Sequence, residues 1–434
     1  MIKQFLNKTI PIFPLISFRI GFGILMLFGL VRTLLQGWVY ELYVKPQFFF
    51  SFYGFENLPR VGETLVYIIY AMAILTAILI SIGLFYRFAT IGFFMCFTYL
   101  ELYDATNYLN HYYLICLFAF LLIFLPANRS YSLDVKLGFT KASGAVSAWM
   151  IYIIMAQIGI VYTYAGLAKL HPEWIAEAMP LTIWLNERAH WPILGTLFSW
   201  DYSPILFSFL GAFYDLFIFW FLLFKKTRPW AYAAVVVFHL LTWSMFNIGL
   251  FPLIMITSNI IFFSTAWHKK VLGKLGDMPK ADPLARRIPR GFVIYMCIQL
   301  ILPLRFLFYN SQLLWAEEGY RFGWRVMLVE KSGLAHFTIK TSDHTAFEVD
   351  NSKFLTPFQE KQMAIQPDFI VQYAHYLGEH YSRQLQRNDL RIFVDAHVAL
   401  NGRVSQHFIN PKQDLLLVED GYKTKEWIIA HPDL

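Results

Sequence analysis

Lys169 stands near the end of a hydrophobic stretch, in the run Tyr164-Ala165-Gly166-Leu167-Ala168-Lys169-Leu170-His171-Pro172-Glu173-Trp174. An ammonium group in a poorly hydrated place is costly, and shedding its proton removes that cost. A neutral lysine is a usable general base. We therefore read Lys169 as an amine poised to take a proton, against the plainer reading of a lysine snorkelling to headgroups. His111 heads an apolar helix in the corner Glu101-Leu102-Tyr103-Asp104-Ala105-Thr106-Asn107-Tyr108-Leu109-Asn110-His111, where catalytic and structural readings weigh equally. Asp104 and Asn107 read as helix-end caps. His239 lies deep in Val235-Val236-Val237-Phe238-His239-Leu240-Leu241. An ionisable group inside a bilayer is a functional candidate by default, although a lone buried histidine bonded to a backbone carbonyl is the common case. Asp215 is read in the same way and is expected to pair with a cation or line a pocket. Arg19 and Arg32 read as snorkelling cations. In Trp315-Ala316-Glu317-Glu318-Gly319-Tyr320-Arg321-Phe322-Gly323-Trp324-Arg325, either Arg321 or Arg325 can hold a carboxylate, and Tyr320 and Trp324 can wall a groove. An interfacial aromatic belt explains the same residues equally well. No nucleotide-binding glycine loop, HExxH or GxSxG is present, and the histidines show no metal-ligand spacing. No metal is expected, and phosphoryl transfer and zinc hydrolysis fit poorly.

These residues must be positioned by membrane helices. The chain has 434 residues, of which 57% are hydrophobic and 15% charged, against roughly 25% charged in a soluble domain. The net charge of +7 does not point to nucleic acid, because the basic residues cluster in short loops between apolar segments. Cys96, Cys116 and Cys297 all fall in apolar segments and read as small buried hydrophobes. Lys3 and Lys8 precede the first apolar run, but Arg19 interrupts it and no Ala-x-Ala follows, so it reads as a retained first span. Nine apolar segments are expected, at 16–35, 65–86, 89–103, 111–127, 149–170, 205–224, 230–247, 250–267 and 291–308. If all nine cross, the lysine- and arginine-rich loops fall on one side, including the run Lys269, Lys270, Lys274, Lys280, Arg286, Arg287 and Arg290. The N-terminus is then cytoplasmic and the C-terminal part extracytoplasmic. From about 309, strand-like alternation appears at 325–329, 335–340, 345–349, 391–395 and 415–418, with one amphipathic helix at 367–385. The expected fold is an α-helical polytopic membrane domain, 1–308, followed by a small, mainly β, sandwich-like extracytoplasmic domain, 309–434.

Four stretches together resemble the vitamin K-dependent γ-carboxylases. They are the run from Tyr164 to Trp174, Phe238-His239-Leu240 continuing through Phe246-Asn247-Ile248-Gly249-Leu250-Phe251-Pro252, Asn110-His111-Tyr112-Tyr113, and Trp315 through Met327. Phe18-Arg19-Ile20-Gly21, Lys45-Pro46 and Phe52-Tyr53-Gly54-Phe55 resemble the wider bacterial group of HTTM proteins, and Asp395 through Gln406 extends the match. The resemblance implies a membrane enzyme that oxidises a reduced naphthoquinone, vitamin K hydroquinone or menaquinol, with O2 to its epoxide. The same chemistry drives γ-carboxylation of a peptidyl glutamate with CO2. It implies Lys169 as the base, His111 and His239 as catalytic partners, and Asn110, Tyr164 and Asp215 at the cofactor. Tyr320, Arg321, Trp324 and Arg325 would hold the glutamate. The implied partners are membrane lipid and a glutamate-containing peptide or protein, and the implied location is a bacterial inner membrane. The chain departs from vertebrate members at Ala168, where they carry a second lysine, and at Glu317-Glu318-Gly319, where they carry less charge. Two alternatives stand beside this reading: quinol oxygenation without carboxylation, and a transporter or lipid-binding protein of the same fold.

Overall fold

The apolar segments read from the sequence are helical, the one at 250–267 in broken pieces, in the computed structural model, which describes residues 2–246, 248–273, 284–285, 287–421 and 424–434. Asn247, Lys274, Lys280, Arg286 and the side chain of Lys3 lie outside the described residues. The helices are α1 (Phe13–Leu35), α2 (Glu63–Ile82), α3 (Tyr86–Leu102), α4 (Asn110–Phe124), α5 (Trp149–Ala168), α6 (Ser203–Leu223), α7 (Arg228–Met245), α8 (Phe251–Asn259), α9 (Thr265–Leu272) and α10 (Arg290–Ile301). Among the described residues, five helical stretches are long and apolar enough to cross a bilayer: α1, α2, α5, α6 and Arg290–Phe308. Phe251–Phe262 with α9 makes a sixth if this pair, bent by 114°, is one span. The count of nine is not met on those criteria. With 17 and 15 residues, α3 and α4 rise only about 26 and 22 Å, short of the ~30 Å hydrocarbon core. Helix α7 has the length but carries Arg228, His239, Thr242 and Ser244.

Two glycines set the approach of α5 to α6. A Cβ at Gly166 would lie 2.7 Å from the Leu216 backbone nitrogen, and one at Gly159 would lie 2.7 Å from the Phe219 ring. Seven residues apart, they share one helix face, and their missing side chains let the two helices close. On the other side of α5, polar groups form a buried chain. The Tyr295 hydroxyl donates to Gln157 Oε1 at 2.7 Å, Gln157 Nε2 donates to Gln299 Oε1 at 3.3 Å, and Gln299 Nε2 donates to the Tyr113 hydroxyl at 3.1 Å. Arg19 does not snorkel. It is fully buried and donates to the carbonyls of Ala127, at 3.0 Å, and Tyr131, because loop carbonyls near a helix end need donors that lipid cannot supply.

The C-terminal region holds strands β1 (Lys331–Lys340), β2 (Ala346–Glu348), β3 (Arg391–Leu400) and β4 (Gln406–His407) in one antiparallel sheet of order β2-β1-β3-β4. It is not a sandwich. Ile392, Val394, Ala396 and Val398 alternate inward on β3, and α11 (Pro357–Ala364) and α12 (Pro367–Leu385) bury that face with Met363, Phe369, Ile370, Tyr373 and Leu377. The outer face alternates Arg391, Phe393, Asp395, His397 and Ala399, and no second sheet covers it among the described residues. Helix α12 has the expected bounds, whereas α11 was not foreseen although Thr356 and Gln359 form a capping box before it. Residues 325–329 form no strand, since Met327 takes φ 57°, and Leu415–Leu417 is a 3-10 turn capped by Asp414. This region is tied to the helices by Glu173, whose carboxylate accepts from both Arg403 guanidinium nitrogens at 2.6 and 2.8 Å and from Asn401 Nδ2 at 2.9 Å. Gln359 Nε2 adds bonds to Asp104 Oδ2 at 2.7 Å and to the Phe48 carbonyl at 2.8 Å.

Candidate functional site

Lys169 follows the last turn of α5, where a cation meets the negative end of the helix dipole. It is not a lone amine. Its Nζ lies 2.8 Å from Asp215 Oδ2 on α6, and both side chains are over 90% buried (7% and 9% exposed). The close approach at Gly166 brings the two together. Nζ also donates to the Val326 carbonyl at 3.4 Å and sits 5.3 Å from the centre of the Trp174 ring, whose Nε1 is held by the Ser208 carbonyl at 2.9 Å. A buried lysine and aspartate in contact are neutral as a pair, which removes most of the cost that either charge alone would carry.

The pair lines a cavity of about 620 Å³ enclosed by α5, α6, α7 and α8. Its walls are Val161, Ala165, Leu185, Phe207, Ile218, Ala234, Met245 and similar side chains, and its polar groups include Lys169, Asp215, Tyr162, Tyr214 and His239. Leu210, Phe213, Phe221, Trp230 and Val237 line it and are also exposed, so it opens sideways between α6 and α7. His239 meets it from α7. The His239 Nε2 lies 3.4 Å from the Tyr162 hydroxyl, which accepts from Asn259 Nδ2 at 2.9 Å. Which group donates across this contact depends on the imidazole tautomer. Nδ1 is buried without a hydrogen-bond partner. The expected backbone carbonyl partner is thus replaced by a phenol.

His111 was expected at the same pocket as Lys169 but does not line it. The Phe251 ring, which lines the cavity, contacts both histidines, 5.8 Å from His111 and 5.3 Å from His239, centre to centre. His111 is buried beside Gly249, and its Nε2 has no partner. Asn110 and Tyr164, expected at the cofactor, do not line this cavity. The Tyr164 hydroxyl donates to the Leu300 carbonyl, and Asn110 Nδ2 donates to the Arg325 carbonyl at 2.9 Å.

The segment 317–327 forms a strap over this end of the bundle. Glu317, Gly319, Phe322, Trp324 and Met327 all have φ between 56° and 75°, a run of left-handed residues that persists only where surroundings enforce it. The corner at 108–113 supplies that enforcement. The Phe322 amide donates to the Tyr108 hydroxyl at 2.7 Å, Asn110 holds the Arg325 carbonyl, and Tyr113 stacks on Trp324 with ring centres 5.0 Å apart. Val326 and Met327 wall the first cavity, while Tyr320 and Arg321 line a second of about 290 Å³ with Arg305, Glu317, Asp368 and Lys425. The single expected groove is therefore two cavities that share one strap.

The two strap arginines differ. Asp368 accepts from Arg321 NH1 at 2.6 Å and from NH2 at 3.2 Å, and Gln366 takes a further bond. Burial alone would lower the Arg321 guanidinium, but the Asp368 charge more than offsets this and holds it above its ordinary value. Arg321 is thus already occupied. Arg325 is buried, stacks 4.1 Å from the centre of the Phe306 ring, and forms no ion pair among the described residues. Burial lowers its guanidinium, with Tyr320 opposing. Glu317 pairs with the buried Lys331 at 2.7 Å, and Glu318 lies 3.6 Å from Lys425, so the extra charge of this segment is internally neutralised. Asp368, Tyr162 and Asn259 escaped the sequence reading. Each is distant in the chain from its partner, and only the preceding Pro367 and its first-turn position marked Asp368.

Residues 7–267 match the HTTM domain, and residues 286–433 match the lumenal domain of vitamin K-dependent gamma-carboxylase. No solved structure matches the chain. The two matches run in sequence along nearly its whole length, the first ending within α9 and the second beginning just before α10. The chain therefore belongs to the HTTM family, as a γ-carboxylase-like member that carries the lumenal domain behind its membrane helices.

Proposed function

We propose that this protein couples oxygenation of a reduced naphthoquinone, vitamin K hydroquinone or menaquinol, to γ-carboxylation of a peptidyl glutamate with CO2. The observation that carries the reading is the buried Lys169–Asp215 pair in the wall of an apolar cavity that opens towards lipid and touches the strap. Family membership supports a carboxylase-like activity. The cavity suits an isoprenoid naphthoquinone: its volume lies within the ~300–1,000 Å³ usual for ligand sites, its mouth is apolar, and the buried Nδ1 of His239 lacks a partner. Bound there with O2, the quinol would supply the strong base that removes a γ-proton from glutamate.

The residues then take these roles. Lys169 Nζ hands its proton to Asp215 Oδ2 across 2.8 Å and is left as an amine that accepts one from the quinol hydroxyl. The net change is one proton gained by the pair, from ammonium–carboxylate to ammonium–carboxylic acid, a +1 site beside the anion it creates. His239, as its Nδ1–H tautomer, donates a hydrogen bond into the cavity. His111, in contact with Phe251, orients that ring, and Asn110 and Tyr164 fix the strap and α10. Arg325 takes the glutamate carboxylate, with Tyr320 and Trp324 shaping its surroundings, and Arg321 braces the strap through Asp368. Closed walls exclude water that would quench the base. We place the domain boundary at 308/309 and the chain in a bacterial inner membrane with the N-terminus cytoplasmic; its nine crossings require the short α3 and α4, the more polar α7 and the bent α8–α9 pair to be held in the membrane by their neighbours. Incubating membranes with reduced quinone, a glutamyl peptide and labelled bicarbonate tests the proposal. Label in the peptide, lost in Lys169→Ala, is expected; label independent of added quinol contradicts it.

The occupied state of Arg321 favours a second reading, quinol oxygenation without carboxylation, since one expected carboxylate anchor is already neutralised. Epoxide formed without label in any glutamyl peptide would select it.

A further inference from the structure

The outer face of the C-terminal sheet carries three side chains whose donor atoms converge. Asp395 and His397 alternate on β3, and His407 on β4 lies directly opposite His397 in the register. His397 Nε2 is 3.0 Å from Asp395 Oδ1, and His407 Nδ1 is 3.5 Å from the same oxygen. The two imidazole ring centres are 4.0 Å apart, and one ligand atom from each of the three residues lies within 4.8 Å of the others. We propose that Asp395, His397 and His407 form a binding site for a divalent transition-metal ion of the Zn2+ class.

A tetrahedral ion bound at about 2.0–2.1 Å spreads its ligand atoms about 3.3 Å apart, close to both measured separations. The donor set selects the ion: two imidazoles and one carboxylate suit Zn2+, Ni2+, Co2+ or Cu2+, whereas Ca2+ and Mg2+ require mostly oxygen. The platform is rigid, because β3 pairs along its whole length with β1 and its inner face is buried against α11 and α12. Asp395 forms no ion pair with lysine or arginine among the described residues, so its charge is not already spent. His336 on β1 stands opposite Asp395 on the same exposed face, which places a third imidazole at the edge of the site. Three protein ligands leave a coordination position for water or for a group from a bound partner. Sequence spacing concealed the site, since nine residues and a strand reversal separate His397 from His407.

The test is Zn2+ binding to the full-length, tag-free protein in detergent, measured against a chromophoric chelator. The parent should bind one equivalent that Ca2+ and Mg2+ do not displace. Asp395→Asn, His397→Ala and His407→Ala should each weaken binding by at least about tenfold, since loss of even an outer-shell partner costs that much. His344→Ala, in an exposed loop, should leave it unchanged. All three ligands are surface residues, so unchanged metal-free melting temperatures certify the fold of each variant. No saturable binding in the parent, binding undiminished in His397→Ala/His407→Ala, or displacement by equimolar Ca2+ would overturn the assignment.

Discussion

Asp215 gives Lys169 its meaning. A lysine at a helix end is ordinary, but one held at 2.8 Å by a buried carboxylate in the wall of a side-opening apolar cavity has the arrangement that the proposed proton transfer requires. Removing one partner strands the other: Asp215→Asn or Lys169→Ala should each destabilise the protein in detergent by about 3–5 kcal/mol. The double variant Lys169→Ala/Asp215→Asn should recover most of that loss in a thermal melt while staying inactive. At the strap, Arg325→Ala should raise the KM for a glutamyl peptide at least about tenfold, the cost of a lost charged hydrogen bond, with quinol epoxidation retained. Arg321→Ala should instead lower the melting temperature, because Asp368 is left unpaired; equal peptide KM effects from both would show that the two arginines share one role. The Lys169–Asp215 contact was not legible in the sequence beyond an expectation that Asp215 would find a cation, because periodicity says which face a residue occupies and not which helix lies opposite. His111 shows the same limit: its helix-heading position was read correctly, but the cavity-lining Phe251 ring that it contacts belongs to a distant helix.

At the scale of elements, Gly166 and the corner at 103–113 position the chemistry. A methyl at Gly166 would meet the α6 backbone at 2.7 Å, so Gly166→Ala should push α6 away and cut quinol turnover at least about tenfold, since a 1 Å misplacement costs up to about 100-fold. The matching change at Gly211, where a Cβ finds only the Trp174 ring at 3.5 Å, should be milder. Asp104 in the corner accepts from the Thr106 amide at 3.0 Å and from Gln359 at 2.7 Å, yet burial pushes its carboxyl up to about 6. The folded state therefore holds a proton that the unfolded chain releases near pH 4. Its contribution is present below that pH and is lost as pH rises through 6, amounting to roughly 3 kcal/mol. Melting curves from pH 4 to 7 should show this fall in the parent and a flatter profile in Asp104→Asn; identical slopes would contradict it. Helix positions were legible because apolar length alone dictates them, whereas the span count was not, since α3 and α4 are helical without being long enough to cross unaided. The α11 helix had a readable signal in Thr356, Pro357 and Gln359. The sandwich expectation failed because alternation marks one buried face and does not say whether a sheet or two helices cover it.

The whole molecule joins a helical bundle with a side opening to a sheet domain that lies over its end, and the strap at 317–327 is the piece both share. Val326 and Met327 reach the lipid-open cavity, and Tyr320 and Arg321 reach the other. Under the proposed function, an oily cofactor would approach the strap through the first cavity and a charged peptide through the second. In the proposed reaction the Lys169–Asp215 pair moves the first proton. The most direct test of this step is quinol-dependent epoxide formation in membranes carrying the parent, Lys169→Ala, or the charge-neutral double variant at matched folded protein. Turnover is expected in the parent, with a loss of at least about 100-fold, the usual share of a general base, in both variants. Turnover retained by the folded double variant would contradict it.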